Sequence, residues 1–282
     1  MDCTMTDPLI SPEKLAISLH DVVLLDATYF MPSDPVAARA AYDALRLPGA
    51  RYFEIDKVAD HSSDLPHMMP DAVTFGAAMA ALGIDGSKPV VVYDRSVNHF
   101  SAPRVWFTLT AYGVPDVRVL DGGLLYWQKL GLPLEEGAPT NTATVPVKDW
   151  VLDTRRVLSG TEMAEVVAAG TRPIIDARGA PRFQGTAPEP RAGLTSGHMP
   201  GATNVPFDQL TDTTTGQFAS VDQLETLFAE KSGTDTVLTC GSGMTAATLT
   251  LGLARIGQTG TIYDGSWTQW GRGTLGPIVT GA

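Results

Sequence analysis

Cys240 is the residue in this sequence best placed for covalent chemistry. It ends the apolar run DTVLTC and is followed by Gly-Ser-Gly-Met-Thr and then a helical pattern, so a strand, a loop and a helix start meet at its sulfur. Backbone N–H groups without helical partners converge at a helix N-terminus. Gly241 and Gly243 let the loop curl with those amides pointing inward, which makes a nest for an anion. A thiolate there is stabilised by the amides and by the helix dipole. A persulfide, whose outer sulfur is also anionic, would be held in the same way. An isolated cysteine is more often a small buried hydrophobe. Two glycines, a strand end and a helix start give Cys240 the surroundings of a nucleophile.

The elements that must position this loop are written twice along the chain. LLDAT at Leu24 resembles IIDAR at Ile174, and LPGARYFEID from Leu47 resembles MPGATNVPFD from Met199. PVVVYD ending at Asp94 resembles TVLTC ending at Cys240, and VLDGGLLYW ending at Trp127 resembles IYDGSWTQW ending at Trp270. Four matches in one order at nearly constant spacing indicate a tandem duplication of a whole domain. VVLLDA, PVVVYD, RPIIDA and DTVLTC lack polar alternation, as suits parallel strands buried on both faces. Helices are expected over Asp71–Leu82, Ala102–Tyr112, Ser220–Lys231 and Thr245–Ile256. Strand alternating with helix gives an α/β fold, each copy a mainly parallel sheet flanked by helices. The polar segment Glu135–Asp149 carries the boundary, which divides the chain into domains 1–147 and 148–282. Asp94 stands where Cys240 stands in the second copy. An aspartate carries no sulfur, so the first copy is expected to be catalytically silent at its own loop.

Composition bounds the partners. The 282 residues suffice for two domains, and 44% hydrophobic with 18% charged residues gives a packed core. A formal net charge of −11 repels nucleic acid and anionic lipid, though it permits a local basic pocket. No apolar stretch is long enough to span a membrane, and the N-terminus has no basic n-region before an apolar run, so no secretory signal is expected. The two cysteines, Cys3 and Cys240, make no disulfide framework, and a reducing cytoplasmic setting fits them. Cys3, near the terminus, is a candidate for an intermolecular disulfide. The histidines and cysteines show no zinc spacing, and no nucleotide fingerprint occurs.

LLDATYF, LPGARYFEID, HMMP, SAPRVWFTLTAYG, LDGG, IIDARGAPRFQGTAPEPR, SGHMPGATNVPF and YDGSWTQWG resemble the tandem rhodanese-domain sulfurtransferases over nearly the whole chain. The resemblance implies two tandem rhodanese-like domains. Within that family, enzymes that use thiosulfate typically carry basic residues just after the cysteine. CGSGMTA here resembles CGSGVTA of the subgroup that uses 3-mercaptopyruvate, with Met244 in place of valine. The resemblance therefore implies a ping-pong reaction in which Cys240 takes sulfur from 3-mercaptopyruvate as a persulfide and pyruvate leaves. The sulfur then passes to a thiophilic acceptor such as cyanide, a small thiol or thioredoxin. No cofactor is implied beyond the covalent cysteine persulfide, and no metal.

Arg182 and Arg191, in PRFQGTAPEPR, match the family's two substrate-binding arginines, whose planar guanidinium groups suit a carboxylate. The loop residues Gly241, Gly243, Met244 and Thr245 line the substrate, Thr245 either capping the helix or bonding the sulfur. Ser242, His67 and Asp56 match a Ser–His–Asp relay in which Asp56 orients His67 and His67 polarises the Ser242 hydroxyl. His198, Trp127 and Trp270 read as structural. Phe100 stands where some relatives carry tyrosine.

Other classes fit less well. A cysteine-loop phosphatase needs an arginine six residues after the cysteine, where this chain has Ala246. A non-catalytic sulfur carrier would lack the cysteine or the substrate clamp. A thiosulfate-preferring sulfurtransferase stays open as the nearest alternative.

Overall fold

A computed structural model describes residues 7–139 and 144–281; Cys3 lies outside the described residues. The chain forms two compact units. One takes in the residues up to Asp60, Met69–Leu152 and Thr211–Phe218; the other takes in His61–Met68, Asp153–Leu210 and Ala219 onward. The halves of the sequence and the units of the structure therefore differ by two short exchanged segments. The polar segment that was read as the boundary begins inside the first unit, where Glu135–Glu136 pairs antiparallel with Leu45–Arg46.

Each unit is built on one five-stranded parallel sheet. In the first unit the strand order is Leu9–Ile10, Val117–Leu120, Val90–Tyr93, Val23–Asp26, Arg51–Tyr52. In the second, Val157–Leu158, Gly260–Tyr263, Thr236–Thr239, Ile174–Asp176 and Ala202–Asn204 repeat that order. The duplicated sequence is thus a duplicated topology. Val90–Tyr93 and Thr236–Thr239 are central and buried at every position. Their β-branched runs need no polar face because helices cover both sides.

Several helix starts follow the capping rules. Asp71 accepts the Thr74 N–H at 2.7 Å and opens Ala72–Ala81. Ser220 and Gln223 form a capping box that opens Val221–Phe228. That helix ends three residues before the expected Lys231 because Ala229 is extended and Glu230 is left-handed. Trp127 and Trp270 are fully buried, and their indole N–H groups donate to Pro133 and Pro277 carbonyls. No helix among the described residues is long and apolar enough to cross a membrane.

Candidate active site

Cys240 follows the central strand of the second unit, at the carboxyl end of a parallel sheet, where ligands of such folds bind. It is a free cysteine, 1% exposed. Its carbonyl accepts the Trp267 N–H at 2.9 Å, and the Gly241 carbonyl accepts the Thr268 N–H at 2.8 Å and the Thr268 hydroxyl at 2.6 Å. The Cys240 N–H donates to Ser266 Oγ at 3.3 Å, and that hydroxyl donates to the Tyr263 carbonyl. The first two carbonyls of the loop are thus tied to the helix Ser266–Trp270. Gly243 then turns through φ +77°, a conformation open to glycine, before Ala246–Arg255 begins. The amides of Gly241, Ser242, Met244 and Thr245 donate no hydrogen bond among the described residues, although Ser242, Met244 and Thr245 are buried. Buried N–H groups are rarely left that way. They form a cradle with room for an anion.

The first unit shows the same cradle filled. Asp94, 1% exposed, follows Val90–Tyr93 as Cys240 follows its strand. Its Oδ1 accepts from Ser96 N–H at 3.0 Å and Ser96 Oγ at 2.8 Å. Its Oδ2 accepts from Ser101 N–H at 2.9 Å, Ser101 Oγ at 3.2 Å and Ala102 N–H at 2.7 Å, at the start of Ala102–Ala111. The carboxylate is a built-in anion. Arg95, in the position of Gly241, pairs with Asp26 at 2.9 Å. Burial pushes the Asp26 carboxyl up and Arg95 pulls it back. In this loop Gly123 lies where a Cβ would meet the Asp94 carbonyl at 2.7 Å; the equivalent residue of the second unit is Ser266, at φ +46°.

Both expected arginines reach the cysteine loop. A Cβ on Gly241 would lie 3.4 Å from Arg182 Nη2 and 4.0 Å from Arg191 Nη1. Arg182 is already ion-paired: its Nη2 meets Glu189 Oε2 at 2.5 Å and its Nε meets Oε1 at 3.2 Å. Glu189, whose side chain is 1% exposed, also takes Arg178 Nη1 at 2.8 Å. Arg178 pairs with Asp176 at 2.7 Å and lies over the Trp267 ring at 3.8 Å. Two acids and two bases cancel along this chain. Arg191 has no acidic partner among the described residues, so it carries the uncompensated charge beside the loop.

The remaining candidates are distributed as follows. Ser242 is on the loop, 8% exposed, and Met244 is 2% exposed. His67 is 6% exposed, has φ +61° and lies on the segment His61–Met68 of the same unit. Asp56 belongs to the first unit, beside a hollow of about 200 Å³ with Tyr29, Tyr52 and Lys57. Thr245 occupies the N-cap position but makes no side-chain cap bond, because its backbone is already helical; its capping role is set aside. His198 donates from Nδ1 to the Phe183 carbonyl, 2.9 Å away, and stacks on the Phe183 ring. Phe100 stacks on Tyr29. Among the described residues no cluster of His, Cys, Asp and Glu is arranged to hold a metal ion.

Glu189, Arg178, Ser266 and Thr268 were missed by sequence reasoning. Glu189 lies in the quoted PEPR stretch, and an acid between two arginines was the available signal. Nothing local marked Ser266.

The model of the rhodanese-like domain matches residues 13–130 and again 159–272. The chain belongs to the rhodanese family. Among rhodanese relatives, a rat protein named 3-mercaptopyruvate sulfurtransferase is 38% identical over 253 residues, covering 88% of this chain and 84% of that one. A protein of the same name from Escherichia coli K12 is 40% identical over 231 residues, 80% of each chain. The crystal structure of SseA from Escherichia coli, described as a 3-mercaptopyruvate sulfotransferase with the rhodanese fold, superposes with a TM-score of 0.82 at 34% identity. It covers 93% of this chain and 99% of that one.

Proposed function

We propose that the protein transfers sulfur from 3-mercaptopyruvate to a thiophilic acceptor, through a persulfide on Cys240 and with release of pyruvate. The observation that carries this reading is the cradle of loop amides around a free, buried cysteine, with Arg182 and Arg191 beside it. The names of the relatives support the donor. The loop's lack of a basic residue after Cys240 supports a singly charged carboxylate donor over thiosulfate.

In the first half-reaction the Cys240 thiolate attacks the donor's sulfur. The C–S bond breaks, its electron pair passes to carbon as the enolate of pyruvate, and the thiol proton ends on that carbon. The cradle's amides hold the resulting persulfide anion. Arg191 faces the donor's carboxylate, with Arg182 alongside. Ser242 is the group assigned to move the proton, with His67 of the same unit polarising its hydroxyl. In the second half-reaction an acceptor such as cyanide, a small thiol or thioredoxin removes the outer sulfur and restores the thiolate. The sulfur is carried on the protein itself, without a cofactor. A reducing cytoplasmic compartment suits a thiolate nucleophile.

The test compares pyruvate and thiocyanate release from 3-mercaptopyruvate and from thiosulfate, with cyanide as acceptor. Wild type should prefer 3-mercaptopyruvate, Cys240→Ser should be inactive, and Ser242→Ala should release pyruvate more slowly. Thiosulfate preference would overturn the donor, full turnover in Ser242→Ala the relay, and activity in Cys240→Ser the whole mechanism.

A further inference from the structure

A cleft of about 480 Å³ lies within the unit that carries the cysteine loop, lined by Asp64, Arg191, Leu194, Thr268 and Arg272 among others. Its size falls in the range of small-molecule sites and exceeds what a three-carbon keto acid needs. Thr268 ties the cleft to the chemistry, because its N–H and hydroxyl both bond the carbonyl of Gly241, the residue after Cys240.

Arg272 lies one helical turn beyond Thr268 and donates from Nε to the Thr268 carbonyl at 3.2 Å, which orients its guanidinium. Its Nη1 meets Asp64 Oδ2 at 2.9 Å. Both side chains are open to water, 40% and 76% exposed. Water screens such an exposed pair, so exchanging its two partners for an incoming carboxylate and ammonium costs little. In a chain of net charge −11, two arginines on one cleft reverse the local sign. Arg191, which lies beside Gly241, serves the donor's carboxylate. Arg272 has an acid of opposite charge, Asp64, beside it. A plus and a minus side by side match the two charges of an amino acid.

We infer that this cleft holds an acceptor subsite for a small thiol bearing an α-amino acid group, its carboxylate on Arg272 and its ammonium on Asp64. The inference rests on the sulfur-transfer reading above. The acceptor sheds its thiol proton to solvent, and the thiolate attacks the outer sulfur of the Cys240 persulfide. The S–S bond of the enzyme breaks, a new S–S bond forms on the acceptor, and its persulfide anion leaves Cys240 as thiolate. No oxidant or reductant is consumed.

The test uses the full-length protein with 3-mercaptopyruvate as donor. A single-turnover burst of pyruvate from wild type, without acceptor, checks the underlying reading. Specificity constants are then measured with cysteine, cysteamine, 3-mercaptopropionate and 2-mercaptoethanol for wild type, Arg272→Gln and Asp64→Asn. In Arg272→Gln, cysteine and 3-mercaptopropionate should each fall about fivefold relative to 2-mercaptoethanol, the loss of one exposed charge contact. In Asp64→Asn, cysteine and cysteamine should fall by a similar ratio. Ratios within twofold of wild type in both variants, with the burst intact, overturn the subsite. A fall in Arg272→Gln alone overturns the assignment of the ammonium to Asp64. Absence of the burst overturns the sulfur-transfer reading itself.

Discussion

The filled cradle of the first unit gives the sharpest test of how these loops are held. Asp94→Asn keeps the shape and removes the charge. The asparagine oxygen best replaces Oδ2, which serves two backbone donors, Ser101 and Ala102. The amide nitrogen then faces Ser96. The Ser96 hydroxyl can turn to accept from it, but the Ser96 N–H loses its acceptor. A buried donor left unpaired costs about 1–3 kcal/mol, and loss of a negative charge at a helix N-terminus about 0.5–2 kcal/mol. Relief of the buried charge offsets part of this, which leaves about 3 kcal/mol. At about 2–4 °C per kcal/mol, the melting temperature should fall by about 6–12 °C. Cys240→Ser is the matched control: the Cys240 N–H and carbonyl keep their bonds to Ser266 and Trp267 whatever the side chain, so its melting temperature should move by no more than about 2 °C. Calorimetry on both variants decides the matter. If Asp94→Asn melts within 2 °C of wild type, the carboxylate does not hold the loop and the comparison of the two cradles fails.

Two further outcomes follow from the charges. Glu189→Gln should lower kcat/KM for 3-mercaptopyruvate about tenfold, mostly through KM, because Arg182 loses the carboxylate that aims it; unchanged kinetics would remove Glu189 from the site. Glu135 is held below its ordinary value of 4.5 by the Gly49 N–H and by Arg46. Its stabilising effect is therefore present above about pH 4.5 and is lost as pH falls through the lower, folded value. Wild type should be more stable than Glu135→Gln at pH 7, and urea midpoints of the two should converge in acid; a gap that stays constant down to pH 3 would refute this.

The cysteine loop, the parallel strands and the capped helices were legible in the sequence because each is a local pattern. An apolar run, a glycine pair or a serine three residues before a glutamine acts on its near neighbours. The silence of the first loop was equally plain from Asp94, but its carboxylate as a permanent occupant was not. That role needs Ser96, Ser101 and Ala102 gathered around one side chain. Glu189 escaped notice because its meaning lies in the two arginines it joins, and Ser266 because a left-handed serine looks like any other serine in sequence. The capping expectation for Thr245 failed since its own backbone is helical rather than extended. Exchange of short segments between units leaves no periodic trace.

That exchange sets the order in which the protein can be finished during synthesis. The first unit takes its last segment from Thr211–Phe218, so it cannot be complete until most of the chain has left the ribosome. The second holds His61–Met68 waiting from early in translation. Each gene half thus encodes a body with a missing piece, and a break near residue 150 should yield two fragments that mature only as a pair.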